Sequence, residues 1–117
     1  MHEDVIGDLT SQARALLEAG YHPAAAVVAG CILEDALRTL CDKHKSSVVL
    51  PDRPTLDFMN GQLAASGVYT KLVQKRIAAL ADVRNSAAHG QWDKLIVADV
   101  EDMLQYVERF VADYLGA

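Results

Sequence analysis

Apolar residues recur every three or four positions along most of the chain, a spacing that predicts amphipathic helices. Four long segments show it, and one short segment lies between the second and third of them. We predict helices over about 3–18, 23–44, 56–65, 68–88 and 98–115. Gly20, Gly67 and Gly90 follow three of these segments as stop signals. Pro23 and Thr55 stand where a helix can begin.

No segment alternates apolar and polar residues for long enough to predict a strand. The predicted fold class is therefore all-α: an up-down bundle of four main helices plus one short helix, in a single domain spanning 1–117. The second helix is apolar almost all round at its start, which is typical of a central helix. The predicted apolar stripe of the fourth helix comprises Tyr69, Leu72, Val73, Ile77 and Leu80.

Composition changes this picture mainly through charge. The 117 residues carry 11 Lys+Arg against 16 Asp+Glu, a net charge of −5. That balance disfavours a nucleic-acid binder that relies on many phosphate contacts. The charge is uneven, because residues 71–89 hold four basic side chains and one acidic one, whereas residues 93–117 hold two basic and six acidic. An anion-binding site is therefore expected in 71–89.

The two cysteines and the N-terminal residues indicate the cellular compartment in which we expect the protein. Cys31 and Cys41 are ten residues apart on one predicted helix, about 15 Å along its axis, too far to pair. We interpret both as small buried apolar residues of a reducing compartment. The acidic stretch 1–4 leads into no long apolar segment, and the longest apolar run, Ala24–Leu33, is too short to span a membrane. We predict a cytoplasmic protein without a membrane partner.

Candidate chemistry concentrates at the end of the fourth predicted helix. Arg84 continues the apolar row of that helix, so its guanidinium should face a neighbouring helix or a partner subunit and needs a carboxylate or anion nearby. Asn85 and His89 are four residues apart on a different face, with Asp82 one turn earlier. An Asn at this spacing can orient an imidazole and select its tautomer.

Arg84 and His89 are five residues apart, about 140° around a regular helix. They reach one ligand only if the helix end unwinds at 88–90 or if a second chain completes the site. The plainer interpretation is that His89, followed by Gly90, only caps the helix.

The string from Arg84 to Gly90 resembles the signature of the HEPN superfamily, small α-helical domains of prokaryotic conflict systems and RNA-processing proteins. That signature is an Arg, four to six residues, and a His, often with a polar residue after the Arg. Arg84, Asn85 and His89 fit each element, and Arg-Asn-x-x-Ala-His-Gly is similar to an uncharacterised bacterial branch. Glu34 and Arg38 resemble an acid-x-x-x-basic pair that many members carry on the second helix.

The resemblance implies a metal-independent endoribonuclease without a cofactor, usually a homodimer in which two motifs face each other. Arg84 and His89 would then be catalytic and Asn85 would support them. Some superfamily toxins carry a Tyr two residues after the His, which a nucleotidyltransferase antitoxin modifies. Gln91 stands there, so an antitoxin partner is favoured less than RNA itself.

Two other functions stay open at this point. Several HEPN branches are non-catalytic modules for dimerisation or for binding RNA, a nucleotide or a partner protein. Alternatively, the chain is a structural helical adaptor in which Arg84 pairs with Glu34 and His89 only caps.

The remaining candidates each have a plain interpretation and a functional one. Glu34 pairs with Arg38 within its helix, or it turns to fix Arg84. Trp92 packs over the helix junction or stacks on a base. The last candidates are three basic residues, Lys71, Lys75 and Arg76. They form either a solvated face or a track that binds phosphates.

No metal site is predicted, because the histidines have no Cys or acid at ligand spacing. We interpret three of them as surface residues: His2, His22 and His44.

Overall fold

A computed structural model describes the backbone of residues 2–116 and the side chains of residues 6–116. These residues form five α-helices and a single 3₁₀ turn, with no strand, so the predicted all-α class is confirmed. The elements are α1 (His2–Glu18), α2 (His22–Lys43), α3 (Leu56–Ala65), α4 (Lys71–Ala88), the 3₁₀ turn (Trp92–Lys94) and α5 (Val97–Leu115). Within residues 2–116 no helix is long and apolar enough to cross a membrane.

Helix α2 lies at the centre of the bundle and packs against each of the other four helices. Its contact surface is wide because small and branched apolar residues alternate around it. The fully buried side chains of α2 include Ala25, Ala29, Ile32, Leu33, Ala36 and Leu37. The prediction of a central second helix is therefore confirmed.

One residue of α2 departs from its predicted environment. Cys31 was expected to be buried, but it is exposed, whereas Cys41 is buried as predicted. Ala24, Cys31 and Arg38 are seven residues apart, or two helical turns, and all three are exposed. Cys31 therefore lies on the outer stripe of a helix whose apolar composition hides which side faces out.

Helix α4 begins later than predicted, at Lys71 rather than near 68. The Thr70 hydroxyl accepts a hydrogen bond from the Val73 amide at 3.3 Å and caps the helix. This start places Leu72 on the outer face, where it is 78% exposed, so the predicted apolar stripe is wrong at this position. Ile77 and Leu80 are buried as predicted.

Helices α1 and α4 end in the same type of turn. The Tyr21 amide donates to the Leu16 carbonyl at 2.8 Å, and the Gln91 amide donates to the Ser86 carbonyl at 2.9 Å. Each turn needs a left-handed residue, supplied by Gly20 (φ +92°) and Gly90 (φ +74°). Both turns lie at the same end of the bundle as the start of α2, and an aromatic residue follows each glycine closely.

Candidate functional site

Arg84 lies against α2, as its place in the apolar row predicted. Its aliphatic stem crosses Gly30, where a Cβ atom would lie only 2.1 Å from the Arg84 Cγ and 2.9 Å from its Cβ. No side chain larger than hydrogen fits there without moving Arg84. Gly30 therefore positions Arg84. The only sequence signal for this contact is a glycine inside a helix. Glycine there lowers helix stability by about 1 kcal/mol relative to alanine.

The guanidinium of Arg84 is held by its neighbour rather than by a carboxylate. The Arg84 Nε donates to the Asn85 Oδ1 at 3.0 Å. Among residues 6–116 no carboxylate forms an ion pair with Arg84, so the expected pair with Glu34 is not formed. Glu34 and Arg38 do not form an ion pair either. The remaining guanidinium N–H groups of half-buried Arg84 are left for an anion.

The side chain of Asn85 is hydrogen-bonded to Arg84 through its Oδ1, and no hydrogen bond joins it to the His89 imidazole, so the expected orientation of His89 by Asn85 is not formed. His89 ends α4, its amide donating to the Asn85 carbonyl at 2.9 Å, and its side chain is exposed. Asp82 and Asn85 are exposed on the same side of the helix as His89.

The end of α4 does not unwind. The helix is regular through Ala88, and Gly90 then closes it. In one chain the side chains of Arg84 and His89 therefore leave the helix about 140° apart. The structure therefore lacks the unwound helix end that would bring both groups to one ligand within a single chain.

An apolar cleft of about 410 Å³ opens beside this helix end. Two exposed aromatic rings line it, with Tyr21 63% and Trp92 60% exposed. The Trp92 Nε1 donates to the Ala87 carbonyl at 3.0 Å, which fixes the ring over the end of α4. The other walls come from the first turns of α2 and from α4, and include Pro23, Ala24, Val27 and Ala87. We name this hollow the Tyr21–Trp92 cleft.

The predicted basic set lies toward the opposite end of α4. Lys71, Lys75 and Arg76 are all exposed. Arg76 donates to the Asp102 Oδ2 at 2.6 Å, and its Cζ lies 5.0 Å from the centre of the Tyr106 ring. Arg76 is eight residues before Arg84, about 12 Å along the axis. This set therefore lies apart from Arg84, and its role as a phosphate track stays a prediction.

The other cysteine and histidine side chains that could be reactive show no arrangement typical of a catalytic or metal site among the described residues. Burial raises the pKa of the Cys41 thiol, which disfavours a nucleophilic thiolate. His22 and His44 are partly exposed, and the side chain of His2 lies outside the described residues. The part of the chain that is described contains no group of three or more His, Cys, Asp or Glu arranged to hold a metal ion.

Comparison with protein-family models, curated proteins and solved structures finds no match. The resemblance to the HEPN superfamily therefore remains a prediction from the motif. Sequence reasoning identified Arg84, Asn85, His89 and Trp92 but missed two residues of the site. Gly30 was hidden within an apolar run, and Tyr21 is brought to Trp92 only by the two helix ends.

Proposed function

We propose that this chain is a metal-independent endoribonuclease of the HEPN type that acts as a homodimer. One observation carries the proposal: the half-buried guanidinium of Arg84 packs on Gly30, is hydrogen-bonded to Asn85 and has no carboxylate partner among the described side chains. A guanidinium placed without a counter-charge is suited to binding a phosphate.

The chemistry needs only these groups. The 2′ oxygen of a ribose attacks the adjacent phosphorus, the bond to the 5′ oxygen breaks, and a 2′,3′-cyclic phosphate forms. An imidazole takes the 2′ proton, and an imidazolium returns one to the leaving 5′ oxygen; His89 can do either near neutral pH. Arg84 stabilises the charge on the phosphorane oxygens.

A second copy of the chain completes the site in this proposal. The regular end of α4 separates Arg84 from His89 within one protomer, so Arg84 of one chain and His89 of the other act on the same phosphate. Exposed small residues flank Arg84 on both helices and suit a packed interface; they are Cys31 and Ala88.

The direct test measures cleavage of single-stranded RNA in EDTA. We expect His89→Ala to slow cleavage about 10²- to 10⁴-fold, without loss of helicity by circular dichroism. His44→Ala is the matched control, because His44 ends α2 as His89 ends α4. Arg84→Ala should be equally damaging, with Arg109→Ala on exposed α5 as its control. Equal rates for His89→Ala and wild type would refute the proposal.

Mixing two inactive variants tests the shared site. In an equimolar mixture of Arg84→Ala and His89→Ala chains, half of the dimers are mixed and each keeps one intact composite site. Roughly a quarter of the wild-type rate should then return. A mixture as inactive as its components would show that each site lies within one chain.

A second candidate is a non-catalytic HEPN-like module that binds RNA or a nucleotide at the same place. The net charge of −5 and the divergence of Arg84 from His89 within one chain favour it. It predicts that wild type does not cleave RNA, while Arg84→Ala weakens binding of an anionic ligand.

A further inference from the structure

The Tyr21–Trp92 cleft brings together the two most exposed aromatic rings among residues 6–116. Tyr21 and Trp92 are each more than half exposed, yet both line one hollow. Aromatic rings are usually buried because of their large apolar area. Two such rings on one concave surface indicate a ligand that offers a flat face to stack upon.

The Trp92 ring and the backbone of Tyr21 are both held by hydrogen bonds. Trp92 is tied through its Nε1 to the Ala87 carbonyl. Tyr21 follows the Gly20 turn directly, and its amide and carbonyl bond to Leu16 and Ala25 at 2.8 and 3.0 Å. The Trp92 side chain and the Tyr21 backbone are thus fixed before binding. Because of this, less conformational entropy is lost when a ligand enters.

The cleft lies about one helical turn from the contact between Arg84 and Gly30. Val27 in the cleft wall is three residues before Gly30 on α2, and Ala87 is three residues after Arg84 on α4. Both steps are about 4.5 Å along a helix axis. A ligand with an anionic group on Arg84 therefore reaches the cleft with a part only one helical turn away.

We propose that the Tyr21–Trp92 cleft holds one unpaired nucleobase of the RNA whose phosphate binds Arg84. The inference rests on the proposed function, since that function supplies the RNA. The volume of about 410 Å³ suits a small planar group. The charge pattern fits as well: apolar and aromatic walls receive the base, and the unpaired guanidinium receives its phosphate.

Trp92 reports on this directly, because it is the single tryptophan of the chain. The probe is a single-stranded oligonucleotide with 2′-O-methyl groups throughout, which cannot be cleaved. We expect it to quench the Trp92 fluorescence, whereas an abasic oligonucleotide of the same length and charge does not. Arg84→Ala should shift the quenching to higher oligonucleotide concentration.

Substitutions separate stacking from general binding. Tyr21→Leu should weaken binding of the 2′-O-methyl oligonucleotide about tenfold, measured by anisotropy of an end label, and leave binding of the abasic oligonucleotide unchanged. Phe58→Leu is the matched control, since Phe58 is a partly exposed ring on α3 outside the cleft.

The outcomes distinguish this inference from the proposed function. RNA cleavage that depends on His89 without quenching of Trp92 overturns the base-binding cleft alone. Base-dependent quenching without cleavage supports the cleft and overturns the nuclease. A fluorescence change that depends on protein concentration, and not on oligonucleotide, shows that a second copy of the chain covers the cleft and overturns the inference.

Discussion

The two ends of α4 use the same residue types in opposite ways. Just before its first turn, Tyr69 is 5% exposed and its hydroxyl donates to the Asn60 Oδ1 at 2.6 Å. The Asn60 Nδ2 donates to the Gln74 carbonyl at 2.9 Å. Tyr69 also meets Phe110 and Tyr114 edge to face, with ring centres 6.1 and 6.0 Å away.

At its last turn, the rings of Trp92 and Tyr21 face solvent and the Arg84 guanidinium has no counter-charge among the described side chains. Every buried side-chain N or O atom in residues 6–116 has a hydrogen-bond partner. The unpaired guanidinium and the two most exposed rings of these residues therefore lie on the surface, near the same end of the bundle. In our proposal the first end serves stability and the second binds the ligand.

The largest expected effect is on stability, and it should differ between the two ends. Tyr69→Ala removes a buried ring, so we expect the free energy of unfolding to fall by about 3–5 kcal/mol. Trp92→Ala removes an exposed ring with one hydrogen bond, so the loss should be below about 1 kcal/mol. Urea unfolding followed by circular dichroism measures both. Equal losses would remove the distinction between a structural end and a ligand-binding end.

The next largest expected effect concerns the contact between Arg84 and Gly30. Gly30→Ala forces a Cβ against the Arg84 stem, so we expect a loss of about 1–3 kcal/mol in the free energy of unfolding, or a displaced guanidinium and weaker phosphate binding. Gly61→Ala, inside α3 with open space around it, is the control and should stabilise by up to about 1 kcal/mol.

Adding Arg84→Ala to Gly30→Ala tests the cause. It removes the Cγ and Cδ contacts but leaves the Cβ contact at 2.9 Å, so it should recover part of the lost stability. A Gly30→Ala chain as stable and as active as wild type would show that position 30 does not position Arg84.

A comparable effect should appear at high pH. Burial raises the pKa of the Tyr69 phenol. Its stabilising contribution is therefore complete below the unfolded-state pKa of about 10 and is lost as the pH rises above that value, since only the unfolded chain then releases the proton. Tyr69→Phe should make this decline shallower by up to about 1.4 kcal/mol per pH unit.

At neutral pH, Tyr69→Phe should cost about 1–3 kcal/mol, because the Asn60 Oδ1 loses its donor. Tyr21→Phe, at an exposed ring, should change neither quantity. Unfolding free energies measured between about pH 9 and 11 decide the matter; identical slopes for Tyr69→Phe and wild type would contradict the assignment.

The smallest effect concerns the basic face near the first end. Asp102→Asn breaks the exposed ion pair with Arg76, which should cost only about 0.2–1 kcal/mol. Because Arg76 lies away from Arg84, affinity for RNA should stay the same when measured at several salt concentrations. A clear gain in affinity would instead support the predicted phosphate track of Lys71, Lys75 and Arg76.

Local signals predicted most of the fold. Thr55 caps α3 through the Phe58 amide at 3.1 Å, and α3 has the predicted bounds. The start of α4 was missed because Gly67 and Thr70 both carry boundary signals, and the cap at Thr70 prevails. Periodicity also failed for Cys31 and Leu72, since burial at those positions depends on which neighbour covers the helix, and no local pattern specifies that.

The candidate site was predictable only as a motif. The orientation of Arg84 toward another helix follows from its register in α4, and the structure confirms it. The bond from Arg84 to Asn85 was not foreseen, because residues one apart do not share a helix face and only the bending of two side chains brings them together. The cleft depends on two turns 70 residues apart in the chain, at Gly20 and Gly90, so it exists only in three dimensions.

The close fit of Arg84 on Gly30 also has an evolutionary consequence. A descendant that loses the arginine is released from most of the steric constraint at position 30, since only the contact with the Cβ of residue 84 remains. The two positions should therefore change together across related genomes, with a larger side chain at 30 marking lineages in which the arginine has been abandoned.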